Sequence, residues 1–452
     1  MKNANYDAVI IGFGKGGKTL AGKLAKAGKQ VALIEKDKGM YGGTCINVGC
    51  IPSKSLIHSA SQIHNSIEFK DGLIEYKNAV EEKRKLTTML RKKNYDKLAS
   101  LPNVTIYDGL ARFIGPLEIE VIMNEETVKL TGKQIFINTG SISRVPVIEG
   151  IDKVKGVYTS SELMDLDTLP NKLTIIGGGY IGLEFASLYS RFGSKVTVIQ
   201  DGPNFLPKED EDIAMEIKSI LENQGIQFFL NAKIQKLIDG PTVVFEKDSV
   251  IHELESDAVL VATGRIPNTN DLNCEAAGVE LTSRGAIKVD EQLKTTAENI
   301  WAMGDVTGGA QHTYISLDDS RIVWGQLSNT QTHTTAARNN IPYSVFIATP
   351  YSRVGMNEKE ARDVGLNIKV AKLPVTAIPK AQVLKAPAGL LKAIINADTN
   401  KILGIMLLGE ESYETINIVK LAMDLDADYT ILRDQIFTHP TMSEALNDLF
   451  SI

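Results

Sequence analysis

The sequence predicts an α/β protein: two doubly wound units followed by an α+β domain. Three observations carry this. "YDAVIIGFGKGGKTLAGKLAKAGKQVALIEK" reads as strand, glycine turn, helix, strand. "KLTIIGGGYIGLEFASLYSRFGSKVTVIQD", from Lys172 to Asp201, repeats that unit. From about Pro342 the pattern turns to strands closed by a late helix. Two copies of one such unit imply two Rossmann-like nucleotide-binding domains in one chain.

Composition sets the outer bounds. A chain of 452 residues is too long for one core. Its 43% hydrophobic and 23% charged residues are those of a globular protein. A formal net charge of −6 argues against a nucleic-acid or membrane-surface partner. No apolar run is long enough to span a bilayer. "MKNANYDAVIIGFG" lacks a signal-peptide layout, so the expected compartment is the cytoplasm. There a close cysteine pair points to catalysis or metal binding rather than a structural disulfide.

The first unit runs through the apolar strand Ala8–Ile11, a helix face of Leu20, Leu24 and Ala27, and the strand Val31–Ile34. Ser59 to Leu98 is polar and mostly helical, with Leu86, Met89 and Leu90 at helical spacing. Its basic run reads as a solvated helix face rather than a polyanion patch. "VTIYDG", "LEIEVIM", "ETVKLTG" and "QIFINTG" are expected to form a meander. "IQFFLNAKIQKLI", "TVVFEKDSV" and "DAVLVATGR" follow the second unit as strands. "TTAENIWAMGDVTGG" leads into a helix. The last domain is expected from strands "YSVFIATP", "IKVAKLPV", "LLKAIINA" and "ILGIMLLG" and the helix "ETINIVKLAMDL".

Gly12, Gly14 and Gly17 fit G-x-G-x-x-G. The first makes the tight turn, the second lets backbone approach a pyrophosphate, and the third lets helix and strand pack. Glu35 stands where a carboxylate accepts from a ribose 2′-OH. Gly177, Gly179 and Gly182 repeat the fingerprint, with Gln200 in place of the acid. A 2′-phosphate calls for a nearby Arg. "QDGPNFLPKED" offers only Lys208, and Asp201 repels phosphate, so NADH is expected over NADPH. Gln200 leaves NADPH open.

"GGTCINVGCIPSK", Gly42 to Lys54, places Cys45 and Cys50 five positions apart in a chain with three cysteines. Structural zinc needs four ligands, and the only other cysteine is Cys274, read as a small buried hydrophobe. No metal site is expected. Two nucleotide sites plus a reactive pair suggest a relay from nicotinamide to flavin to disulfide.

Together, "GGTCINVGCIPSK", both fingerprints, "TTAENIWAMGDVTGG" and "HPTMSEAL" resemble the flavin-dependent pyridine nucleotide–disulfide oxidoreductases over nearly the whole chain. The resemblance implies FAD at the first unit, NAD(P)H at the second, and a C-terminal dimerisation domain. The expected boundaries are 1–149 and 270–338 for the FAD-binding domain, 150–269 for the NAD(P)H-binding domain, and 339–452 for dimerisation. It makes Cys50 the thiol facing flavin and Cys45 the outer thiol. It sets Lys54 near flavin N5, paired with Glu184, and Asp305 on the ribityl chain. It extends the cofactor contacts to Gly43, Thr44, Thr139, Gly140, Gly264, Arg265, Gly304 and Thr313. His439 becomes the acid/base and Glu444 its orienting partner, reaching the other subunit's cysteines. His titrates near neutrality, and a carboxylate fixes its tautomer. The remaining histidines, His58, His64, His252, His312 and His333, are read as structural.

The oxidant rests on finer resemblance. Standard mercuric reductases carry a C-terminal cysteine pair, whereas this sequence closes on "NDLFSI". Lipoamide dehydrogenases usually show an Ala-His helix start where this chain has Thr313 and Tyr314. "IIGFGKGGKTLA", "HTYISLDDSRIV" and "ILRDQIFTHPTMSEALNDLF" are similar to the reactive-chlorine-resistance and hypothiocyanous acid reductase branch. That implies a homodimeric oxidoreductase for a small oxidant. Cu(II) or Hg(II) reduction, lipoamide dehydrogenation and a non-enzymatic redox sensor stand as alternatives.

Overall fold

The computed structural model describes residues 2–63, 67–124, 126–330 and 333–452. They group into two compact units, Met1–Leu56 with Asn78–Val145 and Gly264–Ala337, and Ile57–Lys77 with Pro146–Thr263 and Arg338–Ile452.

The first unit is built on β1 (Lys2–Ile11), which runs parallel to β2 (Val31–Glu35), with α1 (Lys15–Lys26) crossing between them. α1 ends at Ala27, where Gly28 takes φ +80°. That left-handed conformation suits glycine and stops a helix. Next come α2 (Thr44–Asn47), α3 (Cys50–Ser61) and the long α4 (Phe69–Ala99). Then follow β3 (Val104–Asp108), β4 (Leu110–Gly115), β5 (Glu118–Ile122) and β6 (Thr127–Ile137). The strand order is β3-β2-β1-β6-β5-β4, and the strand Ile300–Ala302 also pairs with β6.

Side chains alternate across this sheet, as the strand period of two requires. Ala8, Ile10, Val31 and Leu33 pack with Leu20, Ala21 and Leu24 of α1. Val9, Ile11, Ala32 and Ile34 pack on the other face with Phe113 and Ile119. Cys274 is 5% exposed and lies in that second core.

The second unit holds a parallel sheet in the order Gln227–Phe229, Lys195–Ile199, Lys172–Ile176, Ala258–Val261, Val157–Tyr158. The helix Tyr180–Arg191 follows the second glycine turn. Lys233–Ile238, Thr242–Lys247 and Val250–Leu254 form a separate antiparallel sheet. The C-terminal residues build an antiparallel sheet ordered Tyr343–Val345, Tyr351–Gly355, Ile402–Leu408, Leu390–Asn396, Ile368–Pro374. The helix Ser412–Asp424 packs on it through Ile416 and Val419.

The meander differs from the expectation. "VTIYDG" is β3, parallel to β2 at the sheet edge, because it returns after a long helix rather than a tight turn. "ETVKLTG" and "QIFINTG" are one strand, β6. β1 templates its whole length from Val128 to Ile137, straight through Gly132. β4 and the strand Tyr351–Gly355 carry no strand assignment at the sequence level. The latter buries Ser352 and Arg353, which hides its alternation.

Candidate active site

The first glycine turn is a cradle. Gly12 takes φ +104°, and a Cβ there would lie 2.3 Å from the Asn138 carbonyl oxygen. At Gly17 a Cβ would meet the Gly12 oxygen at 2.4 Å, and at Gly14 it would meet Asn138 Oδ1 at 2.7 Å. α1 starts with no side-chain cap on Gly14, leaving its positive end for an anion. The Phe13 N–H donates to Glu35 Oε2 at 3.1 Å, so the acid at the end of β2 also holds the turn. Burial pushes the Glu35 carboxyl up, against its backbone hydrogen bonds. These residues fit a dinucleotide such as FAD.

Asn138 escaped the sequence reading. Its Oδ1 accepts from Gly17 N at 2.8 Å, and its Nδ2 donates to Met303 O at 2.6 Å. Beside it, Thr139 Oγ1 donates to Asn268 O at 2.7 Å, and the Gly140 carbonyl accepts from Asn268 N at 3.0 Å. Asp319, 1% exposed, accepts the Gly304 N–H at 2.6 Å. Asp305 Oδ2 accepts from Ser141 Oγ at 2.7 Å, and Arg265 Nε donates to the same hydroxyl oxygen at 2.9 Å. Gly264 takes φ +109°, and its carbonyl accepts from Arg144 N at 2.9 Å. Segments far apart in sequence thus meet around one turn.

The cysteine loop rests on that cradle. Gly43 takes φ +84°, and a Cβ on it would stand 2.7 Å from Gly14 Cα. Gly43 is the N-cap of α2, which Thr44 opens. Asn47 donates to the carbonyls of Tyr41 and Gly43 at 3.0 and 2.9 Å, and Arg91 of α4 donates to Asn47 Oδ1 at 2.8 Å. Cys50 opens α3, and a helix N-terminus favours a thiolate. Thr313 opens the helix Thr313–Leu327, and its Oγ1 lies 3.7 Å from Cys50 Sγ. Cys45 is half-buried and Cys50 exposed in the chain by itself.

The two thiols differ electrostatically. The Cys45 hydrogen bond draws Cys50 down to about 6; burial opposes this, while Thr313 and the Lys54 cation assist. Cys45 moves up, because that hydrogen bond holds its proton and burial and the Cys50 charge add to it. The two shifts run in opposite directions, favouring the anion at Cys50 and the proton at Cys45.

The second glycine turn has the same build. Gly177 takes φ +111°, and a Cβ there would meet Ala262 O at 2.5 Å. A Cβ on Gly182 would meet Gly177 O at 2.1 Å, whereas around Gly179 nothing lies within 4 Å. The helix Tyr180–Arg191 has no side-chain cap on Gly179. This suits a second dinucleotide phosphate. Gln200 donates to the carbonyls of Gly202 and Asn204 at 3.1 and 2.8 Å.

Glu184 Oε1 accepts from Phe346 N at 2.9 Å. Lys54 belongs to the first unit and Glu184 to the second. His439 Nδ1 lies 2.8 Å from Glu444 Oε2, with the imidazole side chain 70% exposed. Glu444 also accepts from Thr441 N, and the His439 bond holds its carboxyl below the usual range. His333 pairs with Asp318, His252 stacks on Phe245 and His312 stacks on Tyr314. His58 lies in α3, and Ser61 donates to its carbonyl. His64 lies outside the described residues. Among the described residues no group of three His, Cys, Asp or Glu gathers as for a metal, and no helix is long and apolar enough to cross a membrane.

The family described as pyridine nucleotide-disulphide oxidoreductase matches residues 6–323, and its dimerisation domain matches residues 341–450. The chain is 51% identical over 447 residues to the probable pyridine nucleotide-disulfide oxidoreductase RclA of Escherichia coli, covering 99% of both chains. It is 33% identical to a dihydrolipoyl dehydrogenase of Bacillus subtilis, covering 98% of this chain and 97% of the other. A solved structure described as the Cu(II) complex of the HOCl-induced flavoprotein disulfide reductase RclA from Escherichia coli superposes with a TM-score of 0.94. It is 50% identical and covers 99% of both chains.

Proposed function

Because the chain belongs to the pyridine nucleotide–disulphide oxidoreductases, enzymes that use flavin and NAD(P)H, we propose that it spends NADH on reducing a small electrophilic oxidant through Cys45 and Cys50. The preferred oxidant in this reading is hypothiocyanous acid or a related reactive chlorine species. The observation that carries the reading is the cysteine pair seated on the first glycine cradle, with Thr313 Oγ1 3.7 Å from Cys50 Sγ. The HOCl-induced relative supports the choice of oxidant class.

Gly12, Gly14, Gly17, Glu35 and Asp305 would hold FAD, and Gly177, Gly179 and Gly182 would hold the nicotinamide dinucleotide. Flavin, when bound, supplies the two-electron link between nicotinamide and the disulfide. On the protein side, Cys45 loses its proton to His439 of the partner subunit, which Glu444 orients. The Cys45 thiolate attacks the sulfur of HOSCN, forming a Cys45–SCN bond and breaking the S–O bond. His439 returns its proton to the departing hydroxide, giving water. Cys50, already a thiolate, attacks the Cys45 sulfur and expels thiocyanate, restoring the disulfide. Gln200 and the lack of an Arg in its loop support NADH over NADPH. The domain boundaries given above and the cytoplasm complete this reading.

Cu(II) reduction is the second reading, favoured by the copper complex of the relative; two soft thiolates suit that ion. A steady-state panel tests both: NADH and NADPH, each with HOSCN, HOCl, Cu(II), Hg(II), lipoamide and glutathione disulfide. The expected outcome is fastest turnover with HOSCN or HOCl, abolished in Cys45→Ser. A lipoamide preference, or HOSCN turnover that survives Cys45→Ser, would sink the proposal.

A further inference from the structure

Lys18 is a charged side chain that the relay above does not use. It stands in α1, directly after the third glycine of the first fingerprint, and it is only partly exposed. Its Nζ donates to the Gly42 carbonyl at 3.1 Å and to Asn94 Oδ1 at 2.7 Å. Asn94 is set for this, because its Nδ2 donates to Leu90 O at 2.7 Å, turning its oxygen toward the ammonium. Both acceptors are neutral oxygens. Desolvating an ammonium against neutral oxygens is costly, and burial, with Lys15 next, brings Lys18 down to about 8. An apolar side chain would fill the space without that cost.

What the cation gains is position. Gly42 lies three residues before Cys45 and takes φ +99°. Gly43, the next residue, packs on Gly14 of the cradle from which α1 starts. Lys18 is therefore a strut from α1 across to the turn that presents Cys45, as Arg91 through Asn47 is a strut from α4. The charged groups acting on Lys18 are Lys15 of α1, Lys97 of α4 and Cys45. Of these only the thiol can become an anion. Cys45 in turn feels Cys50, Thr313 and Lys18, and Lys18 pulls it down.

We infer that Lys18 is a positioning residue for the redox turn: it fixes the loop bearing Cys45 through the Gly42 carbonyl and sets the cation against which the Cys45 thiolate forms. This rests on the dithiol reading above. It gives the outer thiol a fixed positive neighbour inside its own chain, distinct from the acid/base His439.

The test labels thiols rather than following turnover. FAD-loaded wild type, Lys18→Met, Lys18→Gln and Lys18→Arg are reduced with NADH without oxygen. They are then pulsed with iodoacetamide over a range of pH, and peptide mass spectrometry assigns the label. Lys18→Met and Lys18→Gln should label Cys45 about tenfold more slowly near pH 7, where wild-type Lys18 is a cation, and the difference should shrink as pH rises past about 8. Lys18→Arg should restore most of the wild-type profile, and Cys50 labelling should keep its profile in all variants. Gln retains a donor for Gly42 without the charge, so it reads the electrostatic role even where the Met variant folds poorly. A Cys45 profile in Lys18→Gln that superposes on wild type overturns the inference, as does loss of FAD from every variant with Cys45 labelling unmoved. Wild type in which NADH exposes no thiol at either cysteine overturns the dithiol reading itself, and this inference with it.

Discussion

Cys50 Sγ and Thr313 Oγ1 lie 3.7 Å apart. Cys50 is drawn down to about 6, with Thr313 among the causes after the Cys45 bond and burial. A lowered thiol is a thiolate above that value and a thiol below it. In NADH-reduced protein the ultraviolet thiolate signal should therefore appear as pH rises through about 6. Thr313→Val, which removes a hydrogen bond to the anion, should raise that midpoint by roughly half to one unit; an unmoved midpoint would remove Thr313 from the site. Gly43 makes a different demand. Gly43→Ala would put a Cβ 2.7 Å from Gly14 Cα at a positive φ. It should cost about 2 kcal/mol or more and release flavin, read as lost flavin absorbance after gel filtration. Cys45, Cys50 and the fingerprint glycines were legible because their spacing is local. Asn138 and Asp319 were not, because their partners lie 121 and 15 residues away and an Asn before Thr-Gly looks like any turn.

At the scale of elements, the same distinction between local and distant causes decides what could be read. Strand–turn–helix units carry their own periodicity and glycines, so both were legible. β6 was split at Gly132 because glycine usually breaks a strand; only its pairing with all of β1 keeps it whole. Tyr351–Gly355 was invisible because Arg353 sits inside it, paired with Glu209 at 3.4 Å. Glu209, whose side chain is 0% exposed, joins elements of the second unit. It accepts from the hydroxyls of Tyr180, Tyr343 and Tyr351. Tyr180 opens the helix after the second glycine turn, so this carboxylate also holds the start of that helix. Glu209→Ala would leave Arg353 and three hydroxyls buried around a gap. The expected loss is about 3 to 5 kcal/mol, visible as a lower melting temperature. A variant that melts with wild type would show that the cluster adds nothing net.

At the scale of the molecule, the dimerisation domain bears the last question: whose His439 serves whose cysteines. The C-terminal part leaves large apolar side chains in water, among them Leu421, Leu425, Ile431 and Ile436, at 60, 71, 53 and 96% exposure. Leu421 lies in the last turn of the helix Ser412–Asp424, and Leu425 caps its C-terminus four residues on. Large apolar side chains this exposed suit a surface that another chain covers. His439 itself is exposed, with its Nδ1 turned to Glu444. If the cysteines of one subunit use the His439 of the other, two dead enzymes should rescue each other. Cys45→Ser and His439→Ala homodimers, unfolded, mixed equally and refolded with FAD, give half heterodimers by symmetry. Each heterodimer then joins an intact dithiol to an intact His439 at one of its two sites. About a quarter of the wild-type oxidant turnover should return. If His439 serves its own chain, every heterodimer site lacks one partner and nothing returns. The two arrangements predict opposite outcomes from one mixture, and a Leu425→Asp variant held as monomer should lose oxidant turnover only under the first.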